Sequence, residues 1–591
     1  MCGICGELRF DGQNPDPTLL TKMLNHLARR GPDEVGQIIQ GPLGLGHRRL
    51  AVIDLSPHSH QPMVDEELGL SIVFNGTIYN YQSLRRELQK RGFRFFSEGD
   101  TEVILKAYSS WGSDCVQYLQ GMFAFALWDA HQQQLLLARD RFGIKPLYYE
   151  QTPDFIRFAS TLPALLVSGQ VDTRLDKVAL HHHLTLHAVV PAPRTLLQGI
   201  RKLPPATLLK ISPHSTAVTQ RYWQLSARRP DYPRTERDWL EFTHATLESV
   251  IASHSAAADV PVGILLSGGL DSSLLVALLA KQGTPANLLT FSVGFEDAPE
   301  EKGSEFEYSD QVVARYGTSH HRYTIPNSQV LQRLPEAIAA MSEPMVGQDA
   351  VAFYLLAEQV SKTVKVVQSG QGADEVFAGY FWYPMMQAAL GTDLERFRNH
   401  YFDRSHSEFL ETVQPDYQGE DYTSDLIADL LAEEGADTFL DRVLRLDVTT
   451  LIVDDPVKRV DNMTMAWGLE ARVPYLDHTL VELAAAMPSE LKLKSGGKFP
   501  LKNIARQYLP ATVIDRPKGY FPVPALKYVR GPFLEFMRTI LNSQTCRERG
   551  LFQRTYVEQI MANPEGKMTA LQGSHLWHLA LLEYWLQIQG I

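Results

Sequence analysis

Short apolar runs separated by polar punctuation dominate the first part of the chain. Residues 70–75 (LSIVFN), 122–129 (MFAFALWD), 134–139 (QLLLAR) and 147–150 are bounded by Gly, Pro, Asn and Asp, which predicts strands. Helical spacing interrupts them at 17–30, 81–91 and 101–111. Together these predict an α+β unit with much antiparallel sheet. A proline-rich stretch at 189–205 and a loose polar segment at 226–238 follow, and the pattern then changes. A fully apolar strand at 259–266 leads through a Gly/Ser turn into a helix at 272–282. A strand at 287–295, a helix at 309–316 and a strand at 364–368 come next. Apolar strands alternating with helices predict a parallel sheet covered on both faces. From about residue 390 onward the pattern is mostly helical. The expected division is a first domain over 1–210, a linker over 211–239 and a second domain over 240–591.

The composition leaves room for both units, since the chain has 591 residues, 44% of them apolar and 21% charged. Fifty-six basic against 68 acidic residues give a net charge of −12, which argues against a sequence-independent grip on nucleic acid. Four cysteines are too few for a disulfide framework. No apolar run approaches the roughly 18–20 residues that span a bilayer. The start, MCGICGELRF, lacks the basic and apolar regions of a signal peptide. The expected protein is cytoplasmic, with no nucleic-acid or membrane partner.

Two of the four cysteines, Cys2 and Cys5, lie at the very start. Loss of Met1 would make Cys2 residue one, uniting a thiol nucleophile and an α-amine base, of pKa about 8, in one residue. That pair suits acyl transfer from an amide. A metal or redox Cys-x-x-Cys and a pair of ordinary buried thiols are the alternatives at this point. The metal reading lacks two further ligands, because Cys115 and Cys546 are isolated. Asn75-Gly76, taken alone, is a hairpin-turn signal.

The set RGPD (30–33), GHRRLAVIDL (46–55), FNGTIYNY (74–81), GDTEVIL (99–105) and ARDRFGIKPLYY (138–149), in that order behind Cys2, resembles the class II glutamine amidotransferase domain, an N-terminal-nucleophile hydrolase. The resemblance implies sandwiched antiparallel sheets and a role for each matching residue. Cys2 is the implied nucleophile, and the Asn75 amide with the Gly76 N–H forms the oxyanion hole. Arg49 is implied to hold the glutamine α-carboxylate and Asp100 the α-ammonium, with Leu50, Ile53 and Thr77 completing the glutamine site. Thr161, after Phe158-Ala159-Ser160, departs from the family's usual Glu.

In the second half, SGGLDSS (267–273) follows an apolar strand and opens a helix, so several N–H groups and the helix dipole converge on an anion site. It lacks the Gly-Lys-Ser/Thr ending of the common phosphate loop. It resembles the pyrophosphate loop of ATP pyrophosphatases, which cut ATP between the α- and β-phosphates. With SGQGADEVFAGY (369–380), RVDNMTMAWGLEARVPYLDH (459–478) and SGGKFPLK (495–502), the half resembles the synthetase domain of glutamine-dependent asparagine synthetase from about 240 to 525. The implied fold is a doubly wound parallel-sheet ATP-pyrophosphatase domain with a helical C-terminal region. The resemblance implies ATP contacts at Leu266, Ser267, Gly268, Gly269, Asp271, Ser272, Val293, Ser369 and Gly370. It also implies Mg²⁺ ligation by Asp271 and Asp374, with Glu375 less firmly placed, and stabilisation of the acyl-adenylate step by Lys498.

Gln371 stands where asparagine synthetases usually carry Glu, and an amide cannot ionise or act as a general base. The 369–384 stretch looks more like the branch that amidates N-acetylglutaminylglutamine, an osmoprotectant dipeptide. The implied partners are therefore glutamine, ATP and a carboxylate acceptor, either aspartate or such a dipeptide, with a homodimer as a compatible assembly. The implied reaction releases ammonia at Cys2 and delivers it through an apolar passage to an acyl-adenylate. A catalytically idle nucleotide-binding regulator of the same fold is the competing reading, and the intact Cys2, Asn75, Asp100 and SGGLDSS speak against it.

Overall fold

The computed structural model describes residues 2–213, 217–283, 287–516 and 523–591. Its first unit contains β1 (Gly3–Arg9), β2 (Glu34–Gln40), β3 (Leu43–Arg49), β4 (Met63–Asp65), β5 (Leu70–Ile78) and β6 (Gly121–Asp129). It continues with β7 (Gln134–Arg139), β8 (Tyr148–Gln151), β9 (Phe155–Ala159), β10 (Arg201–Lys202), β11 (Thr207–Ile211) and β12 (Val218–Arg221). These strands form two six-stranded sheets, ordered β10-β8-β9-β1-β3-β2 and β12-β11-β7-β6-β5-β4. Every described pairing in both is antiparallel. The facing sides bury one core cluster that joins Ile4, Leu8 and Leu45 of the first sheet to Val73, Ala124, Trp128 and Leu137 of the second. This is the sandwich expected of an N-terminal-nucleophile hydrolase.

The second unit holds a five-stranded sheet, β15 (Ser319–Ile325), β14 (Leu289–Phe295), β13 (Val262–Leu265), β16 (Val366–Gln368) and β17 (Glu470–Arg472) in that order, all parallel. Helices Leu270–Gln282 and Asp349–Val360 belong to different core clusters, one with Ile264 and Leu266 and the other with Leu265 and Phe291, so both faces are covered. Among the described residues after 390 the regular elements are helices apart from β17, and the last of them is His575–Ile588. In that last helix Trp577 and Trp585 are buried and donate from Nε1 to Val346 O (2.8 Å) and Met341 O (2.9 Å).

Parts of the expected 211–239 linker are regular structure. β12 pairs with β11 and carries the second sheet on to Arg221, while the helix Glu236–Ala256 begins at a Thr235–Asp238 capping box. The predicted hairpin turn at Asn75-Gly76 is absent, because both residues lie within β5, opposite Ala124 and Phe123 of β6. Glycine is needed at 76 because a Cβ there would stand 2.2 Å from Met122 O.

The two units share buried polar contacts. Asp461 takes Arg30 Nη1 at 2.9 Å and Lys145 Nζ at 3.3 Å, and Glu343 takes Lys202 Nζ at 3.0 Å. Among the described residues no helix is long and apolar enough to cross a membrane.

Candidate active sites

β1 begins at Gly3, so Cys2 stands at the head of the first sheet, against β5 of the second. Its backbone N donates to Asn75 Oδ1 at 3.0 Å. That bond turns the Asn75 side chain so that Nδ2, buried, has no hydrogen-bond partner among the described residues. A buried amide N–H without a partner is costly unless something visits it. Here the same side chain is hydrogen-bonded to Cys2, the expected nucleophile. Burial pushes the Cys2 thiol up in pKa.

The wall of this small cavity carries Cys2, Arg49, Leu50, Ile53, Gly76, Thr77 and Asp100, so the structure gathers these expected glutamine-site residues in one place. Arg49 is fixed by both oxygens of Glu34 at 3.0 Å, by Ser56 O at 3.3 Å and by Asp54 O. Asp100 begins the helix Asp100–Trp111, and its Oδ2 accepts from Ile78 N at 3.0 Å. Burial pushes its pKa up to about 6. Cys5 is fully buried in the core, a packed thiol. Ser160 Oγ accepts from Ile4 N at 2.9 Å, and the Thr161 hydroxyl beside it is buried without a partner among the described residues.

One wall residue comes from the other unit and was not read as functional from the sequence. Glu470 comes from β17 of the second unit, accepts from Thr77 Oγ1 at 3.1 Å, and is held by Arg472 Nε at 2.6 Å. Although burial opposes ionisation, nearby cations, Arg472 and Lys145 among them, hold its carboxyl well below the usual range. Its one signal was its place in the 459–478 stretch.

In the second unit the 267–273 loop links β13 to the helix Leu270–Gln282. Ser267 N donates to Ser272 Oγ at 3.2 Å, and Gly269 N to Ser267 Oγ at 3.3 Å. Gly268 takes φ +80°, and a Cβ there would meet Ser309 N at 2.7 Å. It shapes the turn from beneath and is not part of the cavity wall. The cavity, about 460 Å³, is lined by Leu266, Ser267, Gly269, Asp271, Ser272, Val293, Ser369, Gly370, Gln371, Asp374 and Lys498. Lys498 has a left-handed φ of +54° at the N-cap of the helix Phe499–Ala505. Its ammonium sits 2.6 Å from Asp271 Oδ2 and 2.8 Å from Asp374 Oδ1, which hold it above its usual pKa range despite burial. The two expected Mg²⁺ ligands thus already converge on one cation beside the phosphate loop. Two hard carboxylate donors at that spot fit a divalent cation such as Mg²⁺.

The wall also carries His187, Gln348, Asp349, Asp455 and Gln572, which no sequence motif marked, and Arg459, the first residue of the 459–478 stretch. They come from four separate stretches of chain, and only the fold brings them together.

Comparison with known proteins finds a family for each unit. Residues 1–223 match the glutamine amidotransferase domain family, and residues 243–587 match the asparagine synthase family. Asparagine synthetase [glutamine-hydrolyzing] 1 of Bacillus subtilis is 32% identical, over 95% of this chain and 93% of its own. A putative asparagine synthetase [glutamine-hydrolyzing] of Mycobacterium tuberculosis is 33% identical over 91% of each chain. Amidase chry2 of Gibberella zeae is 27% identical over 87% of each. The chain therefore belongs to the asparagine synthase family, as a glutamine-dependent, asparagine-synthetase-like amidotransferase.

Proposed function

We propose that the unit ending with β12 hydrolyses glutamine, and that the unit beginning at the helix Glu236–Ala256 adenylates a carboxylate and turns it into an amide. The observation that carries this reading is the pairing, in one chain, of the unpartnered Asn75 amide beside Cys2 with a phosphate loop facing Lys498, Asp271 and Asp374. Once Met1 is removed, the α-amine of Cys2 takes the thiol proton and the thiolate attacks the glutamine amide. Asn75 Nδ2–H and the Gly76 N–H receive the developing oxyanion. Ammonia leaves and water releases glutamate from the thioester. Arg49 and Asp100 hold the α-carboxylate and α-ammonium, and Leu50, Ile53 and Thr77 close the pocket around them.

In the second site Ser267, Gly269 and Ser272 cradle the pyrophosphate, with Gly268 setting the turn. Leu266, Val293, Ser369 and Gly370 flank the nucleotide. Asp271 and Asp374 would hold Mg²⁺, which would offset the negative charge of the phosphates. Lys498 stabilises the charge that builds as the acceptor carboxylate displaces pyrophosphate. Ammonia then attacks the acyl-adenylate, giving an amide and AMP. Met122, Phe142 and Ile144 of the first unit pack in one core cluster with Leu266, Met465 and Leu476 of the second. Because the Met122 carbonyl abuts Gly76, this apolar contact leads from one site toward the other. A dry path keeps ammonia neutral and nucleophilic.

Gln371 on the cavity wall cannot ionise, which favours a capped glutamine dipeptide over aspartate as acceptor. The test is a pyrophosphate and AMP assay with ATP, Mg²⁺, glutamine and each acceptor in turn. Release of AMP and pyrophosphate supports the adenylate route, and release of ADP and phosphate refutes it. A higher kcat/KM for aspartate than for N-acetylglutaminylglutamine refutes the acceptor assignment.

A further inference from the structure

One wall of the synthetase cavity holds groups that carboxylate activation leaves unused. His187 reaches it from the chain just after the helix Lys177–Thr185, and its backbone, like that of Ala188, is left-handed, at φ +52° and +63°. Such conformations in residues other than glycine persist only where the surroundings enforce them. Here Asp403 N donates to Thr185 O at 2.9 Å and Arg404 Nη1 donates to Leu184 O at 2.9 Å, which pins the segment. His187 Nδ1 lies 3.1 Å from Asp403 Oδ2, and the same oxygen lies 3.5 Å from His578 Nδ1. Asp403 and His578 are both buried. With Nδ1 engaged, Nε2 is the ring nitrogen left for the cavity.

Beside it, Arg459 is held by Asp349 at 3.0 Å and by Asp455 at 2.5 Å, and all three line the same cavity. His187 therefore already faces Asp403, and Arg459 already faces the two others. A second acceptor carboxylate could pair with either only by displacing one of those buried partners, at the cost of an uncompensated charge. A neutral amide has no such cost. Its carbonyl accepts from an imidazole N–H, and its N–H donates to a carboxylate or to the side-chain carbonyl of Gln348 or Gln572.

We propose that His187, positioned by Asp403, is a specificity residue that binds a neutral, peptide-like amide of the acceptor's N-terminal residue, beyond the residue whose carboxylate is activated. This rests on the carboxylate-activating reading of the cavity. The experiment measures pyrophosphate release from the full-length enzyme with N-acetylglutaminylglutamine and with N-acetylglutamine, which lacks the second residue. His187→Ala, His187→Asn and Asp403→Asn are compared with wild type. Loss of a hydrogen bond of this kind costs roughly tenfold or more in binding. His187→Ala is expected to raise KM for the dipeptide by about that factor, with kcat and the KM for ATP little changed and glutamine hydrolysis at the other site intact. Asp403→Asn is expected to shift the same KM in the same direction, and the longer acceptor should lose its advantage over the shorter. Intact glutamine hydrolysis reports the fold, and His187→Asn, which can still donate to Asp403, guards against misfolding of the alanine variant. Folded His187 variants with a wild-type dipeptide KM, or with both acceptors weakened equally, would overturn the inference while leaving the adenylation reading in place. Absence of acceptor-dependent pyrophosphate from the wild-type enzyme would overturn both.

Discussion

Thr77 Oγ1, in the proposed glutamine pocket of the first unit, donates a 3.1 Å hydrogen bond to Oε1 of Glu470, on β17 of the second. Glu470 also takes Arg472 Nε, whose Nη2 donates to Ala257 O at 2.8 Å. A synthetase strand therefore completes the glutaminase wall. Glu470→Gln, which keeps an acceptor for Thr77 but removes the charge beside Arg472, is expected to lower glutaminase kcat/KM roughly tenfold. Glu470→Ala strands a buried guanidinium and is expected to cost about 3–5 kcal/mol of stability. Glutamate release and denaturant unfolding check the two. A wild-type glutaminase in Glu470→Gln would show that the contact is only structural.

Cys2→Ala removes the nucleophile and leaves the second cavity untouched. Glutamine-dependent amide formation is expected to vanish, while formation with high concentrations of ammonium salt persists. Loss of both activities in a folded variant would contradict the division into two sites.

Asn75→Ala deletes the donor with no partner of its own. Glutaminase kcat is expected to fall about 10²–10³-fold, as for loss of one oxyanion donor. Glutamine KM should move little, because the interaction forms in the transition state.

Asp100 offers a pH test. Its pKa, raised to about 6 by burial, means that the carboxylate facing the glutamine ammonium is ionised above that pH and neutral below it. Glutamine KM is therefore expected to rise as pH falls through about 6. Asp100→Asn should have a high KM that no longer follows this titration. A KM profile unchanged by the substitution would place the dependence elsewhere.

These sites were unequally legible in the sequence. β5, β6, β7 and β13 stood out because their runs are apolar, and the 267–273 loop because its glycine spacing follows a strand. β1 (GICGELR) and β3 (LGLGHRR) are diluted by glycine and arginine, so neither the apolar nor the alternating pattern marks them. Asn75-Gly76, which alone reads as a turn, lies inside β5, where the glycine serves the close approach to β6. His187 carried no signal, and Glu470 only its place in the 459–478 stretch. Each acts on a site built mainly by another part of the chain, and only the packing of the two units puts it there.

The central claim is that one chain passes nitrogen from glutamine to an adenylated carboxylate without releasing it to solvent. The most direct measurement supplies [amide-¹⁵N]glutamine, ATP, Mg²⁺, acceptor and excess unlabelled ammonium at neutral pH, and follows ¹⁵N in the product amide together with AMP and pyrophosphate. The account predicts a product amide that is predominantly ¹⁵N, formed with AMP and pyrophosphate in equal amounts to it. A product amide diluted to the isotopic composition of bulk ammonium would contradict it.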